Sequence, residues 1–307
     1  THPQAPAALA QAAACPDKNV NYWQAFPAGG ESDLSARHQQ VVLKKRCPAI
    51  ETIIQYKAGA GGALMWTQMN QLPGDGLNIV GVNLPHIVFQ PIEGQVQYKT
   101  EDITTVHFFQ YTPDGIVVRN ESPFKTYQDL IAAAKARPGA LNFAGSASNS
   151  ANPAAHARLN QATGIQTTYV AFKGTGDLLS SLLGGHVGGA MSYSSLALAQ
   201  KGKTRLLAVA TPQRLSYFPD TPTFRELGID WVDGAYRGVG VPKSTPEDVR
   251  TRVSDIFSEI GRGADFPAKM TAQGLEIVDI PYGKMAAFME ERKKAYLTSA
   301  KLLGLVK

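Results

Sequence analysis

Residues 19–45 read NVNYWQAFPAGGESDLSARHQQVVLKK. Asn19 to Phe26 is rich in Val, Tyr, Trp and Phe and reads as a strand. A corner of Pro27, Ala28, Gly29 and Gly30 follows, and Ser32–Lys45 reads as a helix. The same unit recurs. Glu51–Tyr56 is a second β-branched run, followed by the small-residue corner Lys57–Gly62 and by helical spacing over Gly62–Gln71. Asn78–Val82 is a third strand. Gly115–Arg119, Ala140–Ala144, Gln166–Ala171, Val187–Met191 and Arg205–Ala210 come later, each with a helical segment nearby. Strands separated by helix-length segments imply parallel βαβ units, hence an α/β fold.

Working outward, 307 residues suit two domains better than one. Turn-forming residues cluster at Thr112-Pro113-Asp114-Gly115 and between Gly234 and Pro242. Breaks there divide the chain into 1–112, 113–236 and 237–307, with the middle piece inserted between the halves of the first domain. Such a chain crosses between lobes twice and leaves a cleft that can close. Some helix signals are structural only: Thr245-Pro246-Glu247-Asp248 places an N-cap hydroxyl before a helix, and Thr126 with Asp129 makes a looser cap. The last helix, Tyr282 to Leu303, carries Met285, Phe288, Met289, Tyr296 and Leu302 as a buried stripe.

Composition excludes several classes. Hydrophobic residues make up 44% and charged residues 18%, a globular balance. No apolar run approaches the ~18 residues of a spanning helix. The net charge is +5, but its densest clusters, Lys44-Lys45-Arg46 and Arg292-Lys293-Lys294, are short and helical, so they read as solvated faces and no nucleic-acid partner is expected. Thr1 to Ala14 lacks a basic start and an apolar centre and reads as an Ala/Pro tail. Cys15 and Cys47 each lie just ahead of a strand. If those strands are parallel neighbours, a disulfide fits and implies an oxidising compartment; otherwise the two thiols are free.

The chemistry lies in three strand-to-helix corners: Phe26–Asp33, Lys57–Gly62 and Gly145–Pro153. Ligands of open α/β sheets collect beyond the carboxyl ends of strands, where these corners fall. Glycine and alanine let an anion reach backbone N–H groups at a helix start, and Ser146, Ser148 and Ser150 add hydroxyl donors. Each corner alone is equally a tight connection, and Asp33 is equally an i, i+4 partner of Arg37. Together the three suggest a carboxylate clamp between lobes. Dinucleotide and P-loop fingerprints are incomplete, and no nucleophile elbow or HExxH helix occurs, so no cofactor, metal or catalytic residue is assigned. The six histidines are scattered; His86, in a loop after a strand, is the one placed to take part.

These corners, with Pro73-Gly74-Asp75-Gly76, Phe172-Lys173-Gly174-Thr175-Gly176, Leu207–Thr211, Pro219–Gly228 and Val241-Pro242, form an ordered set. By it the chain resembles the Bug-type periplasmic solute-binding proteins of tripartite tricarboxylate transporters. The resemblance implies a two-lobed, type II periplasmic binding protein of the Venus-flytrap kind, each lobe a mostly parallel sheet flanked by helices, joined by two crossovers. It implies capture of a small organic carboxylate and its delivery to the transporter's membrane components by a monomer, with an export signal already removed. It assigns ligand contacts to Phe26, Ala28, Gly29, Ser32, Asp33, Ala60 and Gly61, and, from the other lobe, to Ser146, Ser148, Ser150 and Lys173. The chain departs from the family pattern at Tyr56-Lys57-Ala58, at Trp66 and at Met191–Ser194. Tyr193 therefore either lines the distal pocket or packs, and an aromatic or larger acid becomes admissible beside the small dicarboxylates. Rival readings are an enzyme using Asp33 or His86 as its acid–base group, and the ligand-sensing subunit of a signalling system.

Overall fold

The computed structural model describes residues 13–146, 150–173 and 175–307. Strands β1 (Val20–Gln24), β2 (Thr52–Tyr56) and β3 (Asn78–Leu84) form a parallel trio with β1 in the middle, Asn21 lying opposite both Ile53 and Asn78. Because all three run one way, Gln24, Tyr56 and Leu84 finish along one edge, and the corners that follow them collect there. Helix α1 (Glu31–Arg46) leaves the first corner and α2 (Ala63–Gln68) the second. The third strand leads directly into α3 (His86–Glu93), so His86 heads a helix and does not lie in a loop.

Next comes β4 (Thr104–Arg119), an unbroken strand through Thr112-Pro113-Asp114-Gly115. The turn expected at that cluster is absent, and residues 104–111, to which sequence assigned no element, are extended. After α4 (Tyr127–Ala136), a second parallel trio is built from β5 (Asn142–Ser146), β6 (Thr168–Phe172) and β7 (Gly189–Tyr193), with β5 central. Helices α5 (Ala151–Thr163), α6 (Thr175–Leu183) and α7 (Ser194–Ala199) connect them, and β8 (Thr204–Val209) follows. The chain returns along β9 (Gly234–Val241) and ends with α8 (Glu247–Arg262), α9 (Asp265–Thr271), β10 (Glu276–Ile280) and α10 (Tyr282–Leu302).

Strand β4 joins the two trios. Up to Pro113 it runs antiparallel to β9, and β10 pairs with its first half; from Asp114 onward it runs antiparallel to β7 and β8. Strand β9 also pairs with β3. The second expected break, Gly234 to Pro242, is thus a strand as well. Its glycines serve close packing: a Cβ on Gly234 would lie 2.0 Å from the Thr112 carbonyl oxygen, and one on Gly238 2.2 Å from that of His107. Glycine here marks backbone approach, and sequence alone cannot tell that from a turn.

Helices cover both faces of each trio, giving four apolar clusters. Trp66, Phe89, Phe108 and Tyr296 belong to one face of the first trio, and Tyr22, Phe109, Phe257 and Phe266 to the other. Phe143, Phe224 and Trp231 sit on one face of the second trio, with Leu178, Leu182 and Leu196 on the opposite one. Cys15 and Cys47 are joined, with Cα atoms 5.8 Å apart, at the amino ends of neighbouring parallel strands. Thr126 caps α4 as its spacing predicts, accepting from the Asp129 amide at 3.1 Å. Thr245 does not cap α8; Pro246 occupies the cap and the buried Thr245 hydroxyl has no partner among the described residues. Along α10, Met285 and Tyr296 are buried as expected, but Leu302 is exposed and Arg292 takes a buried place in the stripe.

Candidate anion-binding site

Asp33 organises the first corner. Its carboxylate is 3% exposed. One oxygen accepts the Gly29 amide at 2.9 Å and Arg37 Nε at 2.8 Å, and the other accepts the Tyr56 hydroxyl. Burial alone would raise its pKa, but the bonds from Tyr56, Arg37 and Gly29 outweigh burial and hold it below the ordinary aspartate range. The i, i+4 pair and the loop contact therefore coexist, and Asp33 is an ionised brace. Its bond turns the Gly29 amide inward. The Ala28 and Gly30 amides meet no acceptor among the described residues, and the first turn of α1 adds its own unpaired donors.

The second corner is wound unusually tightly. Ala60, Gly61 and Gly62 have φ of +50°, +62° and +97° in succession, so the backbone curls through the left-handed region. For Ala60 this costs roughly 1–2 kcal/mol. The curl aims the Gly61 carbonyl at Gln90 Nε2, 2.8 Å away, while the Ala60 and Gly61 amides have no acceptor among the described residues. Trp66 lies under it, close enough that a Cβ on Gly62 would come within 2.4 Å of its ring. Phe26, Trp66 and His86 meet edge to face, with centroids 5.8–6.3 Å apart, and link all three corners of this edge. Burial, aided by Arg237, lowers the His86 pKa to about 4, so the ring is neutral at pH 7; its Nδ1 is buried without a partner among the described residues.

On the second trio, Ser150 caps α5 by accepting the Asn152 amide at 3.3 Å, and its hydroxyl lies 3.0 Å from that of Ser146. Asn152 Oδ1 accepts both the amide and the hydroxyl of Ser146, at 3.1 and 2.5 Å. Ser148 lies outside the described residues. Tyr193 ends β7; burial and the nearby Asp114 and Glu31 push its phenol up, while the Ala151 amide and the Ser150 hydroxyl work the other way. Lys173 is exposed beyond β6, with no polar partner among the described residues.

Strand register brings the two edges together. Leu84, the end of β3, pairs with Tyr236, which pairs with Tyr111 on β4; Tyr193, the end of β7, pairs with Asp114. Tyr111 and Asp114 are three residues apart, about 10 Å of extended chain. On the first trio's side of that junction, Thr112 donates to Glu31 at 2.9 Å, and Arg237 on β9 donates through Nε to Ser32 Oγ at 2.9 Å and lies 3.3 Å from Glu31. Sequence reasoning passed over Glu31 and Arg237. The signal for Arg237 was a lone cation inside Gly234–Val241, a segment read as a break. Behind the site a narrow crevice lies between Pro85 and Ala151, lined also by Asp114, Arg158, Asp233 and Tyr296. Among the described residues no group of three or more His, Cys, Asp or Glu side chains could hold a metal ion, and no helix is long and apolar enough to cross a membrane.

Two parallel trios linked by long antiparallel strands and flanked by helices make a mixed α/β fold of the kind seen in periplasmic solute-binding proteins. The sequence model described as "Tripartite tricarboxylate transporter family receptor" matches residues 36–302, and the chain belongs to that family. The family and the fold are those of receptors that bind a substrate, not of enzymes. A UPF0065 protein from the gbd 5′ region of Cupriavidus necator is 29% identical over 311 residues, covering 98% of this chain and 92% of that protein. Protein BugT of Bordetella pertussis is 27% identical over 255 residues, 81% and 78% of the two chains. The crystal structure of a TctC solute binding protein from Polaromonas superposes with a TM-score of 0.78 at 25% identity, over 95% of this chain and 99% of that one. An R. palustris protein solved with adipate gives 0.79 at 23% identity over 94% and 98%, a likeness of fold.

Proposed function

We propose that this chain is a periplasmic receptor that captures a small organic carboxylate and presents it to the membrane components of a tripartite transporter. Its lobes are residues 1–112 with 237–307, and 113–236; the cleft lies where the two carboxyl edges face each other. One carboxylate of the ligand rests on the free amides of Ala28, Gly30, Ala60 and Gly61 and on the first turn of α1, where charge-assisted bonds from fixed N–H groups are strongest. Phe26 and His86, backed by the buried Trp66, cover its apolar body, and Ser146, Ser150 and Tyr193 close from the second lobe. Asp33 and Gly29 shape the site from behind. Closure traps the ligand because contacts from both lobes exist together only in the shut form.

The observation that carries this reading is the row of unpaired backbone donors on two adjoining corners, with a neutral histidine and a partly shared guanidinium beside them. The relative solved with adipate supports the ligand class. Calorimetric titration against linear and aromatic mono- and dicarboxylates tests it. At least one acid is expected to bind tightly with one-to-one stoichiometry and to be recovered unchanged; silence across the whole panel would overturn the proposal.

A further inference from the structure

Arg237 sits at the floor of the cleft, half-way along β9, with a side chain only 12% exposed. Its register neighbours are Asn83, one residue before the end of β3, and Gln110 on β4. A guanidinium carries five N–H donors. Nε is spent on Ser32 Oγ, and Nη1 lies 3.3 Å from Glu31 Oε2. The remaining donors have no acceptor among the described residues. Glu31 is drawn in a second direction by Thr112, whose hydroxyl donates to Oε1 at 2.9 Å. Two other polar atoms on this edge are buried without partners: His86 Nδ1 and the Nε2 of Gln24, which ends β1. A cation held in place but incompletely used, beside unpaired buried polar atoms, is the arrangement an incoming anion completes.

We propose that Arg237 is the specificity residue of the site: it receives a second anionic group of the ligand, and Glu31 is an internal competitor for the same guanidinium. This rests on the carboxylate reading above and adds a discrimination to it. A monocarboxylate engages the corner amides and leaves Arg237 with Glu31. A dicarboxylate engages both and displaces Glu31 toward Thr112. The two side chains then act with opposite sign on dianion affinity, which an ordinary structural ion pair does not do.

The test titrates two matched pairs, adipate with hexanoate and terephthalate with benzoate, into wild type, Arg237→Met, Arg237→Lys and Glu31→Gln, with thermal melts to check folding. Arg237→Met is expected to weaken the better dicarboxylate by about 10-fold or more, while its monocarboxylate partner changes by about 3-fold at most. Arg237→Lys should fall between, because a point charge replaces a planar fork. Glu31→Gln should tighten the dicarboxylate. Equal losses for both members of a pair, weaker dicarboxylate binding in Glu31→Gln, or a wild type that binds only monocarboxylates would overturn the role of Arg237 and leave the carboxylate reading standing. A wild type that binds none of the four, and no other carboxylate, removes both. Should Arg237→Met not fold, Arg237→Lys and Glu31→Gln carry the comparison.

Discussion

Asp33 takes three donors from three separate stretches of chain: Gly29 in its own corner, Arg37 one turn along α1 and Tyr56 at the end of β2. Replacing it with Ala removes three bonds whose donors, on the exposed Gly29, Arg37 and Tyr56, turn to water instead, which costs about 1 kcal/mol of stability and frees the corner to move. The folded carboxyl is held below its unfolded value, so its stabilisation is present above the unfolded pKa, about 3.9, and is lost as pH falls through the folded one. Urea unfolding should therefore show a clear gap between wild type and Asp33→Ala at pH 7 that narrows toward pH 3. Half of this residue's role was legible: the four-residue spacing to Arg37 is visible in any printed sequence, whereas the bond from Tyr56 exists only because β2 lies beside β1. Arg237 was hidden for a similar reason, since nothing local distinguishes a cation facing a cleft from one facing water.

At the level of elements, alternation of β-rich runs with helix-length segments was enough to foresee both parallel trios, and parallel neighbours were enough to foresee Cys15 beside Cys47. The first part of β4, before Gly115, and all of β9 were not foreseen as strands because Pro113, Gly234 and Gly238 are ordinary turn formers, here set in closely packed antiparallel strands. The disulfide closes 32 residues of chain at the amino ends of β1 and β2, the edge opposite the corners. In the chain-entropy account a loop of that length contributes roughly 3–4 kcal/mol. The double variant Cys15→Ser/Cys47→Ser should accordingly melt earlier while its affinity for the identified acid, read by calorimetry, stays within about 2-fold of wild type.

Across the whole molecule, the two connecting strands carry a charge cluster where they meet. Asp114 on β4 is 2% exposed with one oxygen unpartnered among the described residues, and Asp233 just ahead of β9 is bonded to Arg292 of α10 at 2.8 Å. Arg158 of α5 faces the same pair from the other trio, and Tyr169, Tyr193, Tyr236 and Tyr296 surround it. Burial pushes both carboxyls up, Asp114 further because Asp233 opposes it while Arg292 steadies Asp233. Asp114 therefore holds a proton more firmly in the folded protein than in the unfolded chain. A raised folded pKa gives stability that is complete below the unfolded value and declines as pH rises toward the folded one. Replacing Asp114 with Asn removes that decline, so melting curves followed upward from about pH 4, the ordinary aspartate value, should show the variant gaining on wild type as the solution becomes more alkaline.

Trp66 has one further consequence. Its indole lies under the Gly62 turn and against Phe26 and His86, while Trp23 bonds Asn78 and Trp231 stacks on Phe224 in the other half. The Trp66 ring is 1% exposed, so it stands behind Phe26 and His86 and meets them edge to face. The protein therefore contains its own optical gauge: a guest settling on Phe26 and His86 shifts the rings packed against a buried indole, and its emission registers occupancy without any attached dye.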